Sequence, residues 1–156
     1  MDNSFSISVI IPTFNRLNYL ERAIKSVLNQ TIKVDEIIVV DDGSNDGTSE
    51  FIRSKYPNLK YIFQSNRGVS AARNVGIAAA KSNWIAFLDS DDEWMPTKLE
   101  QQEKSIIDNP DIEFCHTNEI WIRNGVRVNQ MKKHQKYVGN IFEKWYTSIT
   151  STSITI

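Results

Sequence analysis

Asp89-Ser90-Asp91-Asp92 puts three carboxylates within four residues, directly after the apolar run Trp84-Ile85-Ala86-Phe87-Leu88. Like charges this close repel one another unless a cation or strong hydrogen-bond donors compensate. Such a cluster can be a solvated turn leading into the helix that Pro96 announces. Its place at the end of an apolar strand favours a cation instead. Oxygen ligands suit Mg²⁺ or Mn²⁺, which take one or two protein carboxylates and fill the rest of the shell with phosphate oxygens and water. A second acidic pair, Asp41-Asp42, precedes Gly43-Ser44. Asp-Gly is ordinary turn chemistry. The functional alternative is that one carboxylate there takes the imide N–H of a uracil or thymine ring, because an ionised carboxylate can only accept.

These acids need elements to hold them. Ile7 to Ile11 is a β-branched run that reads as a buried strand stopped by Pro12. Leu17, Leu20, Ala23, Ile24, Val27 and Leu28 recur at helical spacing, and Asn18 with Glu21 suggests a capping box. Glu36 to Val40 is a second strand, apolar on both faces as a parallel central strand should be. Asp46 is a candidate N-cap for a helix reaching about Tyr56, and Lys60 to Phe63 is a third strand. Gly68 to Ala80 reads as an alanine-rich helix. Gly76 inside it costs about 1 kcal/mol in helix propensity, so close packing is expected there. Trp84 to Leu88 is a fourth strand, and a helix runs from Pro96 to about Asp108 before Asn109-Pro110 stops it.

Strand–helix alternation of this kind predicts an α/β fold, a mostly parallel sheet with helices on both faces. After Pro110 the style changes. Ile112 to His116 alternates, and Asn124-Gly125 between Ile120–Arg123 and Val126–Val128 is a hairpin signal. Met131 to Tyr137 is basic, Ile141 to Tyr146 suggests a short amphipathic helix, and Ser151 to Ile156 resembles the start of a strand. In open α/β sheets ligands bind beyond the carboxyl ends of the strands, at the switch point of strand order. Three such ends carry suggestive residues: Pro12-Thr13-Phe14-Asn15-Arg16, Asp41-Asp42-Gly43-Ser44 and Asp89-Ser90-Asp91-Asp92. The first loop has neither G-x-G-x-x-G nor a Walker A lysine, which argues against dinucleotide-binding and NTPase readings. Phosphate charge must then be neutralised by a metal held on carboxylates.

Composition agrees. The chain has 156 residues, net charge −1, 40% hydrophobic and 24% charged residues, ordinary for one soluble domain. A near-neutral chain argues against a duplex nucleic-acid partner. Cys115 is the one cysteine, which suggests a reducing compartment. No signal peptide is evident, and the apolar runs fall far short of the ~20 residues that span a bilayer.

Five blocks in order resemble family 2 glycosyltransferases of the GT-A fold: Ser8 to Arg16, Ser26 to Thr31, Glu36 to Ser44, Gly68 to Gly76, and Phe87 to Asp92. The resemblance spans roughly residues 6 to 100. It implies a single GT-A-type domain, C-terminally truncated, with residues 1–110 as the nucleotide-binding α/β part and 111–156 as the start of the acceptor side. It also implies transfer of a sugar from a nucleotide diphosphate donor, most simply a UDP-sugar, to a hydroxyl of a glycan or lipid-linked acceptor, with inversion and with Mn²⁺ or Mg²⁺. Pro12, Thr13 and Phe14 would line the base pocket, and Asp42 would bond the base. Asp91 would be the direct metal ligand, and Asp89 would hold the ribose or assist the metal, with Ser90 between them. Arg73 would reach the donor or else pair structurally with an acid at the sheet edge. The general base, implied to lie beyond residue 156, is assigned to no residue here; His116, Glu119 and His134 are available but unplaced.

The resemblance further implies a role in bacterial polysaccharide or cell-surface glycan synthesis. The expected location is the cytoplasm, at the inner face of the membrane if Lys132, Lys133 and Lys136 touch it rather than form a solvated loop. Two other readings compete. A sugar nucleotidyltransferase would want a glycine-rich basic loop after the first strand, which is absent. A non-catalytic nucleotide-binding or interaction module would show metal-dependent binding without turnover.

Overall fold

A computed structural model of the chain describes residues 5–128. Four strands, β1 (Ile7–Thr13), β2 (Glu36–Asp41), β3 (Lys60–Phe63) and β4 (Trp84–Phe87), pair in parallel in the order β3-β2-β1-β4. Helices α1 (Leu17–Leu28), α2 (Thr48–Lys55), α3 (Val69–Ala79) and α4 (Lys98–Asp108) punctuate them as the alternation predicts. The chain moves outward from β1 to β2 to β3, then returns to place β4 on the other side of β1. The switch of direction therefore falls between β1 and β4.

The sheet is buried on both faces. Val9, Ile11, Val39, Ala86 and Leu88 form one core with Leu20, Ala23, Ile24 and Val27 of α1, Ile52 of α2 and Leu99 of α4. Ile10, Ile38, Val40 and Phe87 form the other with Ala72 of α3. Strict alternation along the strands assigns each residue to one face or the other. Residues just past the strand ends inherit that alternation.

Pro12 does not stop the first strand; it lies inside β1, opposite Val40. The backbone of Thr13 faces β2, where its carbonyl accepts from Asp42 N–H, and that of Ile10 faces β4, where its carbonyl accepts from Leu88 N–H. By alternation Pro12 faces β4 at the end of that ladder, beyond its last paired residue Ile10, where a residue without an N–H is tolerated. The suggested capping box is absent as well. Leu17 begins α1, and its N–H donates to Asp46 Oδ2 at 3.0 Å, while Glu21 pairs with Lys25 and Lys55. Asp46 sits one residue before the cap position of α2, where its Oδ1 accepts from the hydroxyl and N–H of Thr48. One carboxylate thus serves two helix starts.

Ile112 to His116 is not a strand. Beyond a boundary at Cys115 a separate unit contains the hairpin β5 (Trp121–Arg123) and β6 (Val126–Val128). Asn124 and Gly125 have φ of 50° and 76°, the positive values a type I′ turn needs at both positions. The basic stretch, the helix near Ile141 and the terminal strand lie outside the described residues, as does His134.

Gly76 meets the packing expectation. A Cβ there would lie 3.1 Å from Ile10 Cδ1 and Cγ1 and closer still to Cγ2, at the centre of the sheet. Gly76→Ala should therefore destabilise by about 1–3 kcal/mol through overpacking, although helix propensity alone predicts a gain of about 1 kcal/mol. Urea melts decide the sign: a lowered midpoint with unchanged slope supports the packing account, and a raised midpoint contradicts it.

Candidate functional site

Alternation separates the two adjacent acids after β2. Asp41 turns to the α1 face, where it is fully buried. Its Oδ2 accepts from the Tyr61 hydroxyl at 2.6 Å, and its Oδ1 from Ser44 N–H at 2.8 Å. Burial and the bond to Asp41 push the Tyr61 phenol up to about 12, which keeps it a donor. Asp42 turns to the α3 face and is 3% exposed. Its Oδ1 accepts from Gln64 Nε2 at 2.6 Å and Arg67 N–H at 2.9 Å, and its Oδ2 from Gly68 N–H at 2.8 Å. Burial alone would raise its pKa. The Arg67 N–H, the Gln64 amide and the Gly68 N–H outweigh burial and hold the carboxyl below the usual carboxylate range. Gly68 caps α3, so the charge also sits at that helix's positive end. An ionised carboxylate offers about four lone-pair sites, and three of those on Asp42 are taken.

Asp89 follows Leu88 and faces α3, as Phe87 does. Its Oδ1 accepts from Arg73 Nη2 at 2.6 Å, with both side chains about three-quarters to two-thirds buried. Arg73 also lies over the Phe87 ring, 5.9 Å from its centroid. A turn closes from Asp92 N–H to Asp89 O at 3.0 Å and carries buried Ser90 and exposed Asp91 outward. The Arg16 guanidinium lies 3.8 Å from Asp91 Oδ2. Both side chains of this pair are about half exposed, so the contact contributes little to stability.

The loops after β1 and β2 are stitched together. Asn15 N–H donates to Ser44 Oγ at 2.9 Å, and Asn45 N–H to Asn15 Oδ1 at 2.9 Å. Asn15 carries φ of 49°, a left-handed conformation Asn tolerates. Gly43, with φ of 91°, packs so closely on Asn66 that a Cβ would lie 2.9 Å from its backbone nitrogen. Thr13 is buried and Phe14 is 45% exposed at the same edge. All three strand ends named from the sequence therefore converge, because β2, β1 and β4 are neighbours.

Three buried polar atoms at this edge have no partner among the described residues: Thr13 Oγ1, Gln64 Oε1 and Arg73 Nε. Buried polar atoms are nearly always paired, with protein, water or ligand. Among the described residues no three His, Cys, Asp or Glu side chains form a metal-ligand group. Two carboxylates in one turn fit an Mg²⁺ or Mn²⁺ site completed by phosphate oxygens; they do not fit an all-protein structural cage.

The family model for glycosyl transferase family 2 matches residues 8–154. The chain belongs to glycosyltransferase family 2. An uncharacterized glycosyltransferase of Rickettsia conorii, RC0461, is 44% identical over 142 residues, covering 90% of this chain and 23% of that protein. YibD of Escherichia coli K12, also an uncharacterized glycosyltransferase, is 34% identical over 124 residues, 78% of this chain and 36% of that protein. This family 2 chain thus spans well under half the length of these curated relatives. Its fold is of the GT-A type. S. aureus TarS 1-349 superimposes with a TM-score of 0.63 and 29% identity over 68% of this chain and 33% of that one. The same protein solved in complex with UDP-GlcNAc gives a TM-score of 0.61 at 30% identity, covering 68% and 32%.

Sequence reasoning named Asp42 but not its partners. Gln64, Arg67 and Gly68 lie beyond β3, the strand end passed over because it carries no acid. Glutamine directly after a strand was the available signal.

The pH dependence of stability tests the Asp42 cradle. Its folded pKa is depressed, so the ionised form stabilises the fold above the unfolded value of about 3.9, and this is lost as pH falls through the folded value. Asp46 adds in the same direction: burial opposes ionisation there, but Thr48 and the Leu17 N–H outweigh it. Asp42→Asn should lower stability at neutral pH and flatten the loss below about pH 4. Urea midpoints of both proteins from neutral to about pH 2.5 check this, and parallel acid limbs would contradict it.

Proposed function

We propose that this chain is the donor-binding part of an inverting, metal-dependent glycosyltransferase that uses a UDP-sugar and acts in bacterial polysaccharide or cell-surface glycan synthesis. The observation that carries the reading is the convergence, at one sheet edge, of an acceptor-only carboxylate, an arginine with an unpaired buried Nε–H and a two-acid turn.

The base would lie against Pro12, Thr13 and Phe14, with its imide N–H on the remaining acceptor site of Asp42. A base presenting an acceptor at that position would be repelled, which favours uracil over adenine. Arg73 would point Nε–H at a donor oxygen while its Nη2 stays on Asp89. Asp91 would be the direct ligand of Mn²⁺ or Mg²⁺, with Asp89 at the ribose or beside the metal and Ser90 buried between them. The metal, when bound, supplies charge stabilisation for the leaving diphosphate. Asp91 stands exposed, as a ligand that meets the diphosphate from solvent requires. The shell left open by two carboxylates suits phosphate oxygens.

The acceptor is proposed to be a glycan or lipid-linked hydroxyl. Inversion needs a general base beside that hydroxyl. We place the base in the greater length of the relatives that this chain does not span. Among the described residues no helix is long and apolar enough to cross a membrane. The single cysteine fits a cytoplasmic setting, and contact with the inner membrane face through Lys132, Lys133 and Lys136 remains part of the proposal.

Asp91→Asn should abolish Mn²⁺-dependent UDP affinity and leave stability within about 0.5 kcal/mol, as expected for an exposed site. Calorimetric titration checks both; undiminished Mn²⁺ dependence refutes the ligand assignment. Asp42→Ala should weaken UDP more than ADP, by about tenfold for one charge-assisted hydrogen bond. Equal losses would reduce Asp42 to a structural residue. Slow Mn²⁺-stimulated release of UDP from a UDP-sugar separates a transferase domain from a module that only binds.

A further inference from the structure

The stretch Ser26 to Thr31 has no atom in the site just described, yet it holds the segment downstream of the acidic turn. Ser26 Oγ, itself buried, donates to Ala23 O at 2.7 Å and accepts from Trp94 N–H at 3.1 Å. Gln30 uses both ends of its amide. Nε2 donates to Met95 O at 2.8 Å and to Ser26 O at 3.0 Å, and Oε1 accepts from Leu99 N–H at 3.0 Å. Thr31 N–H donates to Pro96 O at 2.9 Å. Helix α4 has no side-chain cap of its own. Leu99 is in its first turn, where N–H groups lack intrahelical partners. Gln30 therefore caps α4 from just beyond the end of α1 while also fixing the loop that leads into it.

Asp91 lies between two anchors. Upstream, Arg73 holds Asp89. Downstream, Ser26 holds Trp94, Gln30 holds Met95 and Leu99, and the Lys98 ammonium sits 3.9 Å over the Trp94 ring. Few residues separate the anchors, so a displacement of the downstream one moves the exposed carboxylate directly. A divalent ion held by Asp91 would tolerate little such movement, because Mg²⁺-type ions demand near-ideal placement of their oxygen ligands.

We propose that Gln30 is a positioning residue for the acidic turn: its two-ended amide clamps Met95 and Leu99 to the end of α1 and thereby sets where Asp91 meets the metal. The inference rests on the metal-site reading given above. It predicts more than stability. Gln30→Ala removes both halves of the clamp. Gln30→Glu keeps an acceptor for Leu99 N–H but has no donor for Met95 O.

The test compares wild type, Gln30→Ala, Gln30→Glu and Ile52→Val, the last a core change on α2 away from the turn. UDP affinity is measured with and without Mn²⁺, and amide hydrogen exchange is followed over residues 89–99. Gln30→Ala should reduce the Mn²⁺ enhancement of UDP affinity about tenfold, the scale of one lost hydrogen bond of about 1.4 kcal/mol. It should change metal-free affinity less than about twofold and speed exchange over 89–99. Gln30→Glu should fall between it and wild type, and Ile52→Val should lower the melting temperature without altering the enhancement. An unchanged enhancement in Gln30→Ala, or an equal loss in Ile52→Val, overturns the positioning role. If wild type shows no Mn²⁺ enhancement, the metal reading has failed instead; exchange over 89–99 then judges the clamp, and unchanged exchange in Gln30→Ala rejects it.

Discussion

A sheet buried on both faces has no room for an unpaired charge within it. Burying a carboxylate is costly unless donors surround it. The three inner and switch-side strands β2, β1 and β4 keep mainly Val, Ile, Ala and Phe in their interiors, and the acids of this sheet's functional edge begin where those strands end. The acids of the candidate site are thereby placed at one rim. The order β3-β2-β1-β4 then brings three acid- or proline-bearing ends side by side. Buried Asp42 and partly buried Asp89 differ in their donors: the Gln64 amide and the N–H groups of Arg67 and Gly68 leading into α3 for one, the Arg73 guanidinium on α3 for the other.

The α3 face does more than cover the sheet. Arg67 and the cap residue Gly68, just before it, supply N–H groups to Asp42, Ala72 packs in the core, Arg73 reaches Asp89, and Gly76 lets the helix sit against Ile10. A shift of this helix would disturb both acids together. The opposite face works differently. Asp46 joins the starts of α1 and α2, and the end of α1 holds the start of α4. The rim is therefore tied to the helices on each side of the sheet rather than carried on independent loops.

Much of this was legible in the sequence. Mainly apolar runs located β1, β2 and β4 because parallel strands buried on two sides are near-continuously apolar, Ser8 in β1 excepted. Asn124-Gly125 located the hairpin because few residues accept two positive φ values. Boundaries were harder. Pro12 was misread as a strand end because its harmlessness depends on where the β4 ladder stops, a property of another strand. Asn18 and Glu21 had the spacing of a capping box, but Asp46, 29 residues from Leu17, supplies the cap. Gln30, although inside the Ser26 to Thr31 block, carries no assigned role in the sequence reading, and Gln64 is not named there, for the same reason. An amide that works through distant backbone groups leaves no local pattern, whereas clustered acids announce themselves by repulsion.

The central claim is that the turn at Asp89 to Asp91 and the cradle at Asp42 grip two ends of one nucleoside diphosphate. A crystal of the chain grown with UDP and Mn²⁺, with the metal located by its anomalous scattering, tests this most directly. The account predicts one ion about 2.1 Å from an Asp91 oxygen, shared with the diphosphate, with the uracil N–H on Asp42. An ion bound away from Asp91, or a uracil lying elsewhere than against Asp42, would contradict it.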